Sequence, residues 1–170
     1  MPPARSVEIH PSRSIRVSLG EQRLWLEEAG AVIAEYPVST AANGAGEREG
    51  SFCTPRGRHV IRARIGDGCP PGTVFVGRRP TGERYGPELR DRHPGRDWIL
   101  TRILWLSGCE PGRNRLGSVD TMRRYIYIHG TPDDVELGRP GSHGCIRMAN
   151  ADVIDLFDRV AVGTPVVIEA

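Results

Sequence analysis

Apolar and polar residues alternate through the first part of the chain. Ile15, Val17 and Leu19, then Leu24 and Leu26, then Val32 and Ala34 recur at every second position, with turn residues at Gly20-Glu21 and Ala29-Gly30 between the runs. A period of two belongs to a strand with one buried face, so an antiparallel meander is predicted to open the domain, with these residues facing its core. The segment from Ala41 to Gly50 has no period and reads as a loop, whereas His59 to Ile65 and Thr73 to Val76 read as further strands. From Arg78 to Asp97 the chain is Pro, Gly and charge, which predicts a long irregular excursion, either a lid over a site or a solvated insertion.

Strand-like sequence returns at Trp98 to Leu106 and at Arg124 to His129. The second run places Tyr125, Tyr127 and His129 on one face, with the histidine at a rigid strand end. One segment is helical: Asn150 is a suitable N-cap, Asp152 suits the first turn, and Val153, Ile154, Phe157 and Val160 recur at helical spacing until Gly163 stops the run. Thr164 to Ile168 reads as a last buried strand. The expectation is a mainly β fold with one packed helix near the C-terminus, in a single domain over 1–170 with its core at about 13–169.

A chain of 170 residues is long enough to bury about two-thirds of its unfolded surface without a metal or disulfide framework. The basic residues are arginines spread along the whole chain, and 23 of them against 21 acids leave a formal charge of +2. That balance excludes the clustered basic stripe of a nucleic-acid binder. No run is apolar enough to span a membrane. The start, Met1 to Ser6, lacks the apolar core of a secretory signal, which predicts a cytoplasmic protein, or a periplasmic one if the natural N-terminus is longer. Cys53, Cys69, Cys109 and Cys145 form no CxxC pair and no zinc-ligand spacing, so four free thiols are expected. Three of these are assigned to packing.

The chemistry is concentrated in Tyr127-Ile128-His129-Gly130 and, after a Pro/Asp/Gly-rich loop, in Ser142-His143-Gly144-Cys145-Ile146-Arg147-Met148. A thiol attacks a carbonyl as thiolate and needs a neighbouring base or positive field to lose its proton at neutral pH. Glycine before the cysteine lets backbone approach a substrate and point N–H groups at one spot, so Gly144, Cys145 and His143 are candidates for an oxyanion site.

These two segments resemble the signature of the L,D-transpeptidase catalytic domain, the YkuD-like family: a histidine, a gap of about a dozen or more residues, then Ser/Thr-His-Gly-Cys. Tyr36-Pro37-Val38-Ser39-Thr40, Thr54-Pro55 with Gly57, and Arg124 to Gly130 also fall in the family's order, so the likeness covers almost the whole chain. The resemblance implies a β-sandwich or barrel. It makes Cys145 the nucleophile, His129 its base, and the Gly130 carbonyl the group that orients the imidazole. It also puts His143 on the oxyanion side, with Ser142 supporting the loop. Arg147 stands where some members carry Asn; its guanidinium is assigned to a substrate carboxylate, the alternative being a surface ion pair.

The implied substrate is the peptidoglycan tetrapeptide stem, cut between the L-centre of diaminopimelate and the terminal D-alanine. Water as acceptor makes the enzyme an L,D-carboxypeptidase of soluble muropeptides, the outcome favoured by the leaderless start. An amine of a second stem makes it a wall cross-linking or D-amino-acid-exchanging transpeptidase. A non-catalytic wall-peptide binder is the remaining alternative. The resemblance also implies acylation by carbapenem-type inhibitors. No metal, nucleotide or other cofactor is implied by any motif.

Overall fold

The computed structural model describes residues 12–170, so the reading of Met1 to Ser6 lies outside the described residues. Three strands open the chain as expected: β1 (Arg13–Ser18), β2 (Arg23–Glu28) and β3 (Ala31–Pro37). β1 and β2 pair in the register Ile15 to Leu26 and Val17 to Leu24, which puts the four alternating apolar side chains on one buried face. β3 departs from the simple period. The register shifts between Leu26 and Glu27, so Val32 lies 52% exposed instead of facing the core, and Tyr36 is the buried residue. A bulge adds one residue to one strand and thereby moves the residues beyond it to the other face.

The remaining strands are β4 (Gly57–Ile65), β5 (Thr73–Val76), β6 (Arg79–Arg84), β7 (Ile99–Gly108), β8 (Tyr127–Gly130), β9 (Ile146–Met148) and β10 (Pro165–Glu169). They join one mixed sheet in the order β3-β2-β1-β10-β4-β7-β5-β6, with β8 also paired to β7, and β9 to β8. The chain leaving β3 then bridges back to the β9 side through Ser39 with Arg147 and Ala41 with Ser142, so the sheet curls round on itself. Ile15, Leu24, Ile61, Leu104, Ile128, Ile146 and Ile168 share one core. The main helix, α2 (Asn150–Arg159), plugs this core with Val153, Leu156 and Phe157.

The excursion at 78–97 is more ordered than its composition predicts. It contains β6 and a one-turn-and-a-half helix, α1 (Pro87–Arg92), whose Leu89 packs with the preceding Tyr85 on Val74, Trp98 and Leu100. Pairing with β5 supplies the order that local sequence does not.

Two further local readings are corrected. Asn150 does not cap α2: Ala149 holds the N-cap position, no side chain caps it, and Asn150 is the first helical residue. Its side chain instead accepts from the Thr101 hydroxyl and donates to Asp133. Tyr125 does not share a strand face with Tyr127 and His129. It precedes β8 in a turn with φ of 55°, and its side chain is exposed.

Candidate active site

The two chemical segments meet because β8 and β9 run parallel. Their register matches Ile128 with Ile146 and His129 with Arg147, so Cys145, one residue before β9, lies beside Tyr127. Side chains alternate along a strand, which puts Tyr127, His129, Cys145 and Arg147 on one face while Ile128, Ile146 and Met148 fill the core behind. That face looks into a cleft of about 760 Å³, lined also by Phe52, Arg78, Asp97, Arg124, Tyr125 and His143.

His129 is buried, and its Nδ1 lies 2.6 Å from the Gly130 carbonyl oxygen. A carbonyl only accepts, so the proton sits on Nδ1 and Nε2 is the basic nitrogen. Burial holds this imidazole below the usual histidine range, outweighing the opposite pulls of the Gly130 carbonyl and Asp97. Gly130 is hemmed in from behind. A Cβ there would fall 2.4 Å from Asn150 Oδ1 and 2.6 Å from the Leu100 carbonyl oxygen.

The Cys145 thiol is held by the two tyrosines' backbones, accepting from the Tyr127 N–H and donating to the Tyr125 carbonyl, each at 3.4 Å. Burial pushes it up to about 12, against the lowering effects of the Tyr127 N–H, Arg147 and Arg124. Burial thus favours the uncharged form of both groups, the thiol and the imidazole. The left-handed turn at Tyr125, which the alternation pattern did not foreshadow, is what points that carbonyl at the sulfur.

The loop before the cysteine is tied at both ends. Ser142 Oγ donates to the Cys145 carbonyl at 2.6 Å and accepts from the Gly144 N–H at 3.1 Å, while Thr54 Oγ1 donates to the Gly144 carbonyl at 2.8 Å. The Gly144 N–H is thus engaged inside the loop rather than aimed at a substrate. Gly144 itself has φ of 130°, and a Cβ would meet Ile126 at 3.0 Å and the Cys53 carbonyl at 3.2 Å, so no other residue fits there without strain. His143 is exposed on the rim, edge-on to Phe52 with ring centres 5.8 Å apart.

Arg147 pairs with Asp97 at 3.2 Å and donates to the Gly141 carbonyl at 3.1 Å, which leaves less of its fork free for a substrate. Sequence reasoning missed Arg124. Its half-buried guanidinium donates to the carbonyls of Gly46 and Cys53 and to Ser51 Oγ, and so fastens the loop at 46–53 beside the thiol. It also missed Thr101 and Arg78, whose partners are distant in sequence. Among the described residues no group of three or more His, Cys, Asp or Glu is placed to hold a metal ion, and no helix is long and apolar enough to cross a membrane.

The profile of the YkuD L,D-transpeptidase catalytic domain matches residues 12–168. The chain belongs to that family. The Bacillus subtilis protein YkuD, named as an L,D-transpeptidase, is 37% identical over 89 residues, which is 52% of this chain and 44% of that protein. The Escherichia coli K12 protein YbiS, named likewise, is 46% identical over 43 residues, covering 25% of this chain and 14% of its own. The chain thus matches less than half the length of these relatives. Among solved structures, an L,D-transpeptidase from Mycobacterium smegmatis superposes with a TM-score of 0.54 at 20% identity, covering 94% of this chain and 59% of its own. L,D-transpeptidase 3 from Mycobacterium tuberculosis, in complex with a faropenem-derived adduct, gives 0.57 at 14% identity over 94% and 60%. At such identity these two establish the shared fold.

Proposed function

We propose that the protein is a cysteine acyltransferase that opens the bond between the L-centre of diaminopimelate and the terminal D-alanine of a peptidoglycan tetrapeptide stem. The observation that carries this reading is the His129 ring, locked by the Gly130 carbonyl into the tautomer with a basic Nε2, on the same face of one strand pair as the Cys145 thiol.

Burial disfavours charge on both the thiol and the imidazole, so the proton moves as the bond forms. Cys145 Sγ bonds to the diaminopimelate carbonyl carbon while its proton passes to His129 Nε2. The Gly130 carbonyl stabilises the imidazolium that results. With the Gly144 N–H engaged by Ser142, the Cys145 N–H is the backbone donor assigned to the developing oxyanion, and His143 lines its outer side. Collapse breaks the C–N bond, His129 returns its proton to the departing D-alanine amine, and the stem remains as a thioester.

An amine of a second stem then attacks the thioester, loses its proton to His129 and releases the thiol. The naming of relatives as L,D-transpeptidases supports this transfer, while attack by water on the same acyl-enzyme is the L,D-carboxypeptidase outcome. The test is incubation with a disaccharide-tetrapeptide, with and without an amine acceptor, followed by mass spectrometry. Dimer or exchange product indicates transfer, and D-alanine release regardless of acceptor indicates hydrolysis. No thioester on Cys145 and no D-alanine release would overturn the proposal. The faropenem-derived adduct on the Mycobacterium tuberculosis relative supports a second expectation, that a penem or carbapenem adds its mass to this protein and not to Cys145→Ala.

A further inference from the structure

The cleft presents Arg78, Arg123, Arg124 and Arg147 against Glu49 and Asp97, an excess of positive charge that the bond-breaking steps do not use. Two of these cations are engaged, Arg147 by Asp97 and Arg124 by the loop at 46–53. Arg78 is differently placed. It is the second residue of the two-residue turn Gly77-Arg78 between β5 and β6, where φ is 56° and then 64°. Such hairpin turns favour Asn or Gly, and a long side chain in the left-handed region is uncommon, of the kind found where function over-determines a conformation.

Its guanidinium lies against the tyrosines that hold the nucleophile. Nη1 donates to the Tyr127 hydroxyl at 3.1 Å, and Cζ stands 4.9 Å from the Tyr125 ring centre and 4.6 Å from that of Trp105. Tyr125 and Tyr127 are also the residues whose backbones bracket the Cys145 sulfur. One of the fork's five N–H donors is thus engaged, and no described acid pairs with it. A planar cation oriented by aromatic contacts, with its remaining donors open to a cleft, suits a carboxylate.

We propose that Arg78 is a specificity-determining residue that binds a carboxylate of the acyl-donor peptide, a role the sequence had suggested for Arg147. This rests on the acyl-enzyme reading above. Two carboxylates of the stem share the chemistry: that of the terminal D-alanine and the one on the distal centre of diaminopimelate.

The experiment compares the free-acid tetrapeptide with two versions, each amidated at one of these carboxylates. Binding is measured by calorimetry to Cys145→Ala, with Arg78 intact or replaced by Gln or Lys, so the contact is read even if no acyl-enzyme forms. Acylation of the Cys145 protein is followed separately by mass spectrometry, and its absence counts against the catalytic reading alone. With Arg78 present, the free acid should bind about 10- to 100-fold tighter than one of the amides, the range for a charge-assisted hydrogen bond. The amide that loses affinity identifies the carboxylate. Arg78→Gln should abolish that preference and Arg78→Lys retain part of it. A residue that only braces the hairpin would weaken all three peptides alike. A preference unchanged in Arg78→Gln, or absent with Arg78 intact, overturns the proposal.

Discussion

The Asn150 side chain accepts a hydrogen bond from Thr101 directly behind Gly130, whose carbonyl in turn fixes the His129 ring. Thr101 is a buried β-branched residue at φ of 74°, opposite the irregular stretch of the β7–β8 ladder. A helix-start residue and a strained strand residue together form the back wall of the His129 support.

Gly130→Ala should therefore be costly. The new methyl group would meet Asn150 Oδ1 and the Leu100 carbonyl well inside contact distance, and overpacking of this kind costs about 1–3 kcal/mol. Denaturant unfolding checks the stability, and the turnover rate should drop with it. A variant as stable and active as the parent contradicts this view of the wall.

Ser142→Ala removes two hydrogen bonds from the loop before Cys145 and leaves the Gly144 N–H and the Cys145 carbonyl without that partner. The expected loss is about 1–3 kcal/mol in stability, with a lower kcat at similar KM because the sulfur is held less firmly. Steady-state kinetics beside thermal melts separate the two effects.

The upward push of burial on the Cys145 thiol predicts a reactivity signature. Alkylation of Cys145 by iodoacetamide should be slow at neutral pH and still be rising above 9, the ordinary thiol value, toward about 12. The pH profile of kcat/KM should fall on the acid side below the ordinary histidine value of 6.5, because protonated His129 accepts no proton. An alkylation rate already at its plateau at pH 7 indicates a resting thiolate–imidazolium pair instead.

His59, away from the cleft, governs a different pH effect. It is buried between the Gly57 carbonyl and Thr121 Oγ1, each at 3.0 Å, and burial lowers it from 6.5 to about 4. Between those values the unfolded chain binds a proton that the folded one does not. Stability is thus full above about 6.5 and falls as the pH drops toward about 4, by at most about 3 kcal/mol. Urea unfolding across this range should show the slope, and His59→Gln should flatten it.

Much of this molecule could be read from local pattern. Alternation located β1 and β2, helical spacing located α2, and the Ser142 to Cys145 segment with the upstream His129-Gly130 pointed to residues that line one cleft, because strand period, helix period and a short motif each lie within a few neighbouring residues. Local pattern misjudged Val32, Tyr125 and Asn150 because a bulge, a left-handed turn and a distant hydroxyl changed their surroundings. The contacts that shape the cleft join residues far apart: Arg78 meets Tyr127 across 49 positions, and Arg147 meets Asp97 across 50. Such pairs depend on the order and register of strands in a sheet, quantities set by the packing of the whole core and carried by no single segment of the chain.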